Sequence, residues 1–279
     1  MILLDNIGMG VLMDKNNDKI GSLELRFISY FQMAKKRIVK SGDLENILRI
    51  TKQRENNLLS KLSAKKIIIR LQRGLYLLPK QISAGSFTEI HEYEIIKYYM
   101  EEIEAKYLIS GFTAIYYYGF TTQIPNTICV YNNKIYGEKQ IAGKTYKFIK
   151  TSVKRLKGAE KINTENNCDI LFASKARLLI DCIYDWKRYN SIPAVYGWIK
   201  QEIMNDETIT EKLINNANRY GNKSVQRRLG YLLETLKIES SQLMRLQRKL
   251  GKSKSLIPFN PTKKITGKID KKWGIVINE

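Results

Sequence analysis

The sequence predicts an α+β protein, with an N-terminal winged helix-turn-helix followed by a mixed α/β C-terminal domain rich in helices. Residues 21–80 combine helical apolar spacing with a short basic hairpin. Short strand-like runs follow in residues 128–172, and five helical patterns follow one another in residues 175–250. The chain has 279 residues and is 43% hydrophobic, which is enough for one large or two modest cores.

Apolar residues at helical spacing define the first two helices. The first helix has one apolar face, formed by Leu23, Phe27, Tyr30, Phe31 and Ala34. The short second helix is anchored by Leu44, Ile47 and Leu48. Ser41 or Asp43 can cap the start of the second helix, because both side chains carry an oxygen that accepts from a backbone N–H.

The third helix separates an apolar side from an unusually polar side. Its apolar side carries Leu58, Leu59 and Leu62. The opposite side carries Gln53, Asn56, Asn57, Ser60 and Lys61. Amide side chains match adenine in a major groove, and Arg54 at the rim suits phosphate or guanine. We therefore predict a recognition helix that also includes Lys52, the alternative being an ordinary amphipathic helix in a small bundle.

A basic hairpin follows the third helix. Residues 67–71 and 75–78 form two predicted strands, and Gly74 supplies the positive φ of the tight turn between them. Arg70, Gln72 and Arg73 fall on the hairpin and its tip, where a wing meets phosphates or the minor groove. Arg73 is the predicted tip contact, and a module that binds double-stranded DNA is the leading interpretation.

The charge distribution supports a polyanionic partner. The net charge is +21; residues 1–80 carry 16 Lys and Arg against 7 Asp and Glu, or +9. Residues 81–180 carry 13 against 10, or +3, and residues 181–279 carry 19 against 10, or +9. The basic C-terminal third is either a second nucleic-acid surface or a solvated lysine-rich surface. Candidate residues for such a basic surface are Lys223, Arg227 and Arg228.

Composition excludes several function classes. Three widely spaced cysteines and a single histidine, His91, argue against disulfides, a metal site and Ser-His-Asp catalysis. Neither a complete dinucleotide loop nor a phosphate-binding P-loop occurs. We expect no enzyme activity, cofactor, metal or membrane association, and a cytoplasmic location.

The predicted domains are a flexible arm at residues 1–20, the winged helix at 21–80 and a C-terminal domain at 81–279, with the boundary at 81–87. In the C-terminal domain, strands are predicted at 128–131, 145–149, 168–172 and 273–277. Helices are predicted at 89–100, 110–118, 175–186, 194–204, 211–220, 225–236 and 241–250. Arg177 and Asp181, four residues apart, predict a surface or interdomain ion pair.

Four segments together resemble the AbiEi-type abortive-infection antitoxins, also called transcriptional regulators of viral defence. They are RGLYL at 73–77, ISGFTAIYYYGFTTQ at 109–123, ARLLIDC at 176–182, and RRLGYLLE at 227–234 joined by WGIVIN at 273–278. The second is similar to the family's SGxSALxxxGLT segment and the third to its RALLDC helix. The segments occur in the family's order between Ser22 and Asn278.

The resemblance implies a type IV antitoxin that also represses its own operon. Its winged helix would bind inverted repeats in the promoter, and its C-terminal domain would neutralise a nucleotidyltransferase-like toxin without a stable complex. One alternative is a ligand-responsive winged-helix regulator without antitoxin activity, whose second domain senses a small molecule. Another is a nuclease or modifying enzyme using Asp169, which the lone histidine and the lack of clustered acids disfavour.

Overall fold

The computed structural model describes residues 21–80, 90–164, 167–238, 240–251 and 255–278. The chain divides into two compact units, Met1–His91 and Glu92–Glu279. Both units combine helices with sheets, so the predicted α+β class is confirmed. The predicted arm at 1–20 and the predicted boundary at 81–87 lie outside the described residues.

The first unit contains three helices and a three-stranded antiparallel sheet. In chain order the elements are α1 (Ser22–Met33), β1 (Ile38–Lys40), α2 (Asp43–Ile47), α3 (Lys52–Ala64), β2 (Ile69–Gln72) and β3 (Leu75–Leu77). The sheet order is β1-β3-β2, so β3 is central. β1 was not predicted, because three residues are too few to show a strand period.

The apolar faces predicted for the three helices meet in one core. Its fully buried residues include Phe27, Phe31, Leu44, Leu59 and Leu62. Leu23, Tyr30 and Ile47 are partly buried at its edge. Ala34 lies just beyond the last turn of α1 as its C-cap residue.

The second unit is built on a six-stranded mixed sheet with the order β6-β7-β5-β4-β9-β8. Its strands are β4 (Tyr107–Ile109), β5 (Thr127–Asn132), β6 (Gly137–Ile141), β7 (Lys144–Lys150), β8 (Ala159–Asn163) and β9 (Asp169–Ala173). The pairs β5–β7 and β4–β9 are parallel, and the other neighbours are antiparallel. Gly143, with φ +77°, lies in the turn that joins β6 to β7.

The helices described in the second unit are α4 (Glu92–Glu102), α5 (Phe112–Tyr117), α6 (Lys175–Tyr184), α7 (Trp186–Tyr189), α8 (Ala194–Asn205), α9 (Ile209–Tyr220), α10 (Lys223–Thr235) and α11 (Ser241–Leu250). The single helix predicted at 175–186 ends at Tyr184, and α7 follows it. A small sheet of β10 (Ile257–Pro258), β11 (Lys268–Asp270) and β12 (Ile275–Ile277) has the order β10-β12-β11.

The ion pair predicted at the surface is instead buried in α6. Arg177 and Asp181 are each 1% exposed, and Arg177 Nε and Nη2 donate to the two Asp181 oxygens over 2.9 and 3.0 Å. Arg155 adds a third bond, from Nη2 to Asp181 Oδ1, over 2.7 Å. The remaining Arg177 donors bond to the carbonyls of Lys157 and Arg155. The predicted pairing is confirmed, but its predicted surface or interdomain position was wrong, because surrounding backbone supplies the acceptors that water would supply at a surface.

Candidate nucleic-acid interface

The polar side of α3 is exposed along its whole length. All seven predicted contact residues on this helix are exposed, namely Lys52, Gln53, Arg54, Asn56, Asn57, Ser60 and Lys61. Thr51 caps the helix, since its hydroxyl accepts from the Arg54 N–H over 3.4 Å. Gln53 Nε2 donates to Asn57 Oδ1 over 3.2 Å, which links two amides one turn apart. The helix therefore presents a row of donors and acceptors rather than charge alone.

A buried carboxylate fixes α3 against α2. Glu55 is 0% exposed, and its two oxygens accept from the Gly42 N–H over 2.8 Å and the Leu44 N–H over 3.0 Å. Glu55 thus satisfies the free amides at the start of α2, which neither Ser41 nor Asp43 caps. The predicted cap was wrong because the acceptor comes from the neighbouring helix.

A second buried carboxylate holds the last turn of α3 against α1. Glu24 Oε1 lies 2.6 Å from Lys61 Nζ, and its Oε2 lies 3.3 Å from Lys65 Nζ. Burial alone raises the pKa of Glu24, but hydrogen bonds from Lys61, the Gly21 N–H and Lys65 leave that pKa lowered. Lys61 therefore has a structural partner in addition to its exposed position.

Glu24 and Glu55 were not predicted to be buried, although the sequence carries a signal for both. Glu55 precedes Leu58 and Leu59 by three and four residues, and Glu24 precedes Phe27 and Ile28 by the same steps. Helical spacing puts each acid on the apolar face of its own helix.

The β2–β3 hairpin exposes its basic residues next to the start of α2. Arg70, Gln72 and Arg73 are all exposed. Gly74 has φ +72°, and its carbonyl accepts from the Ser41 N–H over 2.9 Å. A side chain at Gly74 would be strained by this φ and would place its Cβ 3.2 Å from Ser41 Oγ. This hydrogen bond ties the hairpin tip to the residue that precedes α2.

The first unit carries a strong positive surface charge. Residues 21–80 contain 14 Lys and Arg against four Asp and Glu, or +10. Two of those four acids are Glu24 and Glu55, which are buried. Because half of the acids are buried while most of the cations are exposed, positive side chains dominate the surface of this unit.

The basic surface predicted on α10 is not formed by its arginines. Arg227 and Arg228 are 5% and 6% exposed. Arg227 donates to the carbonyls of Trp273 over 2.6 Å and Ser255 over 2.7 Å, and also to that of Gly274. Arg228 Nε donates to the Pro258 carbonyl over 3.2 Å, and burial lowers its pKa. Lys223 alone of the three is exposed.

The candidate reactive groups of the second unit are Asp169 and three cysteines. No group of three or more His, Cys, Asp or Glu within them is arranged to hold a metal ion. Asp169 is exposed and lies 3.2 Å from Lys161 in an ordinary ion pair. Cys129, Cys168 and Cys182 are free and buried, and burial raises the pKa of the Cys182 thiol well above its usual range.

Among the described residues, none of the helices has both the length and the apolar character needed to cross a bilayer.

Comparison with known proteins gives a fold but no activity. Residues 35–166 match a family of unknown function, DUF6088, over slightly less than half of the chain. The crystal structure of the RV2827C protein from Mycobacterium tuberculosis is similar over 92% of both chains, with a TM-score of 0.58 and 12% sequence identity. At this identity the likeness shows the fold alone. No curated protein matches the sequence significantly.

Proposed function

We propose that the first unit is a winged helix-turn-helix that reads duplex DNA, with α3 in the major groove and the β2–β3 hairpin on the backbone. The observation that carries this proposal is the exposed amide-rich face of α3 beside a basic hairpin. The order helix, strand, helix, helix and two-stranded hairpin is the one that a winged helix requires.

The chemistry of this surface suits both parts of DNA recognition. Asn56 and Asn57 can bond adenine edges, and Arg54 suits guanine or phosphate. Arg70 and Arg73 on the hairpin suit phosphates, which fix register but carry no sequence information. Binding should therefore combine a sequence-dependent term from α3 with a salt-dependent term from the cations.

We further propose that the protein is a cytoplasmic antitoxin of a type IV toxin–antitoxin system that represses its own operon. This part of the proposal rests on the resemblance to the AbiEi-type family. Its toxin partner would be nucleotidyltransferase-like, neutralised without a stable complex, and its operator would be promoter inverted repeats.

Footprinting tests the DNA-binding proposal. The full chain is expected to protect an inverted repeat upstream of its own gene, and to bind that repeat more tightly than a scrambled duplex of equal length. Equal affinity for both duplexes at every salt concentration would refute sequence-specific recognition.

Growth rescue tests the antitoxin proposal. The product of the adjacent gene is expressed at a toxic level together with the full chain or its Asn57→Ala variant. Rescue by both chains is expected, because neutralisation should not require DNA reading. Failure of both chains, with toxicity and expression verified, would leave a DNA-binding regulator without antitoxin activity.

One observation favours the alternative of a ligand-responsive regulator. The second unit contains a cavity of about 460 Å³ with aromatic walls. A small molecule that changed operator affinity without any toxin present would favour this alternative over the antitoxin.

A further inference from the structure

The cavity lies in the second unit, beside the start of β5. Its volume of about 460 Å³ is within the range of small-molecule sites. Four aromatic side chains line it, namely Phe112, Phe120, Tyr189 and Trp198. Cys129 and Lys147 also line it, and these two residues are direct partners in the parallel register of β5 and β7.

One wall is fixed by hydrogen bonds behind it. Tyr189 is buried, and its hydroxyl bonds that of Tyr131, which donates to Asp185 Oδ2 over 3.1 Å. Gly111 has φ +64°, and a Cβ there would lie 2.9 Å from the Tyr189 hydroxyl oxygen. The Tyr189 ring is thus held between backbone and a hydrogen-bond chain, so this wall needs little rearrangement to receive a ligand.

The helix that carries Phe112 is also fixed. Thr113 Oγ1 accepts from the Cys129 N–H over 2.9 Å and donates to the Thr127 carbonyl over 3.4 Å, which fastens α5 to β5. Phe112 meets Tyr189 edge-on, with ring centroids 5.4 Å apart and an interplanar angle of 88°.

Apolar surface is left open to water at this cavity. Ile124 is 69% exposed and Phe112 is 44% exposed. Phe120 and Trp198 stack on each other with centroids 5.2 Å apart. Exposed rings and aliphatic groups around a recess favour a flat apolar ligand, because stacking on them removes this surface from water.

The charge of the lining indicates that a ligand would also carry an anionic group. Lys147 is the one cationic side chain among the described lining residues, and none of those residues is an Asp or Glu. Lys147 Nζ lies 3.5 Å from Glu138 Oε1, and both side chains are about half exposed, so this ion pair is weak and exchangeable. Gln123, Asn126 and Asn190 add amide donors and acceptors to the lining.

We propose that this cavity binds a small planar aromatic molecule that carries one anionic group, either a phosphate or a carboxylate. The ring lies against the aromatic walls, the anion pairs with Lys147, and the amides orient the molecule. A nucleoside monophosphate has this chemistry and size. The proposal concerns the second unit and does not depend on DNA binding.

Calorimetry on the full chain without DNA tests the proposal with four probes: adenosine monophosphate, adenosine, inorganic phosphate and indole-3-acetate. At least one of the two aromatic anions is expected to bind, and about tenfold more tightly than adenosine or phosphate alone. Binding of the nucleotide only would identify a phosphate ligand, and binding of indole-3-acetate only a carboxylate.

Four variants locate the binding. Lys147→Met is expected to weaken binding of the aromatic anion about tenfold without changing that of adenosine, whereas Lys150→Met, on the same strand but outside the cavity, is expected to change neither. Ala194→Leu adds bulk to the lining and should weaken binding of every aromatic probe. Arg73→Ala, in the first unit, should have no effect.

Three results would overturn the proposal. The first is no binding of either aromatic anion at millimolar concentration. The second is adenosine binding as tightly as its monophosphate. The third is full affinity in both Lys147→Met and Ala194→Leu, which would place the bound molecule elsewhere.

Discussion

Two basic helices, α3 in the first unit and α10 in the second, look alike in sequence but differ in what their cations contact. Each helix has leucines on one side and cations elsewhere. On α3, Lys52 and Arg54 are exposed. On α10, Arg227 and Arg228 are buried and donate to backbone carbonyls of the C-terminal segment.

The difference arises from what covers each helix. Segments 255–260 and 273–276 lie against α10, and Gly230 makes room for the Trp273 ring, which a Cβ at Gly230 would approach to 2.2 Å. The planar guanidinium of Arg227 donates to the carbonyls of Ser255, Trp273 and Gly274 at once. A basic helix is therefore a binding surface only where no other part of the chain covers it.

The largest expected effect comes from the buried ion pair on α6. Replacing Arg177 by Met should lower the free energy of unfolding by about 3–5 kcal/mol, because Asp181 would stay buried with one arginine partner fewer. Tryptophan fluorescence in urea measures this loss, since Trp186, Trp198 and Trp273 all belong to the second unit. The exposed ion pair of Lys161 and Asp169 supplies the control. Lys161→Met should change the free energy of unfolding by less than about 0.5 kcal/mol. Equal losses of stability in Arg177→Met and Lys161→Met would contradict the burial of the Arg177–Asp181 pair.

Arg227→Met tests the covered helix directly. A loss of about 3 kcal/mol in unfolding free energy is expected, because the buried carbonyls of Trp273 and Gly274, and the more exposed carbonyl of Ser255, would lose a shared donor. Lys should not restore stability at this position, since an ammonium lacks the planar fork. The same urea titration applied to Lys223→Met, exposed on the same helix, should show almost no loss. If Arg227→Met kept full stability while Lys223→Met lost stability, α10 would not be held by its buried arginine.

Glu55→Gln tests how the first unit positions its exposed helix. The expected cost is about 2 kcal/mol, because a side-chain NH₂ would replace one of the two oxygens that accept from Gly42 and Leu44. Hydrogen exchange in residues 42–48 should accelerate in this variant and not in Glu45→Gln, which changes an exposed acid. Unchanged protection in both variants would show that Glu55 is not needed to hold α2.

Asn57→Ala tests whether the exposed polar face of α3 reads DNA sequence. Discrimination between operator and scrambled DNA should fall by about 1–3 kcal/mol, while nonspecific affinity and stability stay the same. Fluorescence anisotropy with both duplexes measures the change. An exposed asparagine of the second unit, replaced in Asn205→Ala, is the matched control. Full discrimination in Asn57→Ala would remove this residue from the proposed base-reading set.

The smallest effect is expected at the hairpin tip. Arg73→Ala should weaken binding to all DNA sequences alike and reduce the slope of log affinity against log salt by about 1. Titrations at several salt concentrations measure this slope. An unchanged slope, or a loss confined to the operator, would argue against a phosphate contact.

Sequence periodicity predicted burial best where one face of an element is entirely apolar or entirely polar. The leucines of α3 are buried and its amides exposed, as predicted, and the hairpin turns at Gly74 as predicted. Short strands such as β1 and β4 were missed, because three residues do not establish a period. Prediction failed for single charged residues, because their burial depends on distant partners.

The sequence by itself determined the α+β class, the core faces of the helices and the exposed polar row on α3. Those features follow from local spacing, since each helix or strand repeats its own period. Only the tertiary structure decided that Glu55 caps α2, that Arg177 and Asp181 are buried, and that Arg227 holds the C-terminal segment. These contacts join residues whose donors and acceptors are matched by folding, and a charged side chain alone does not reveal whether water or backbone will satisfy it.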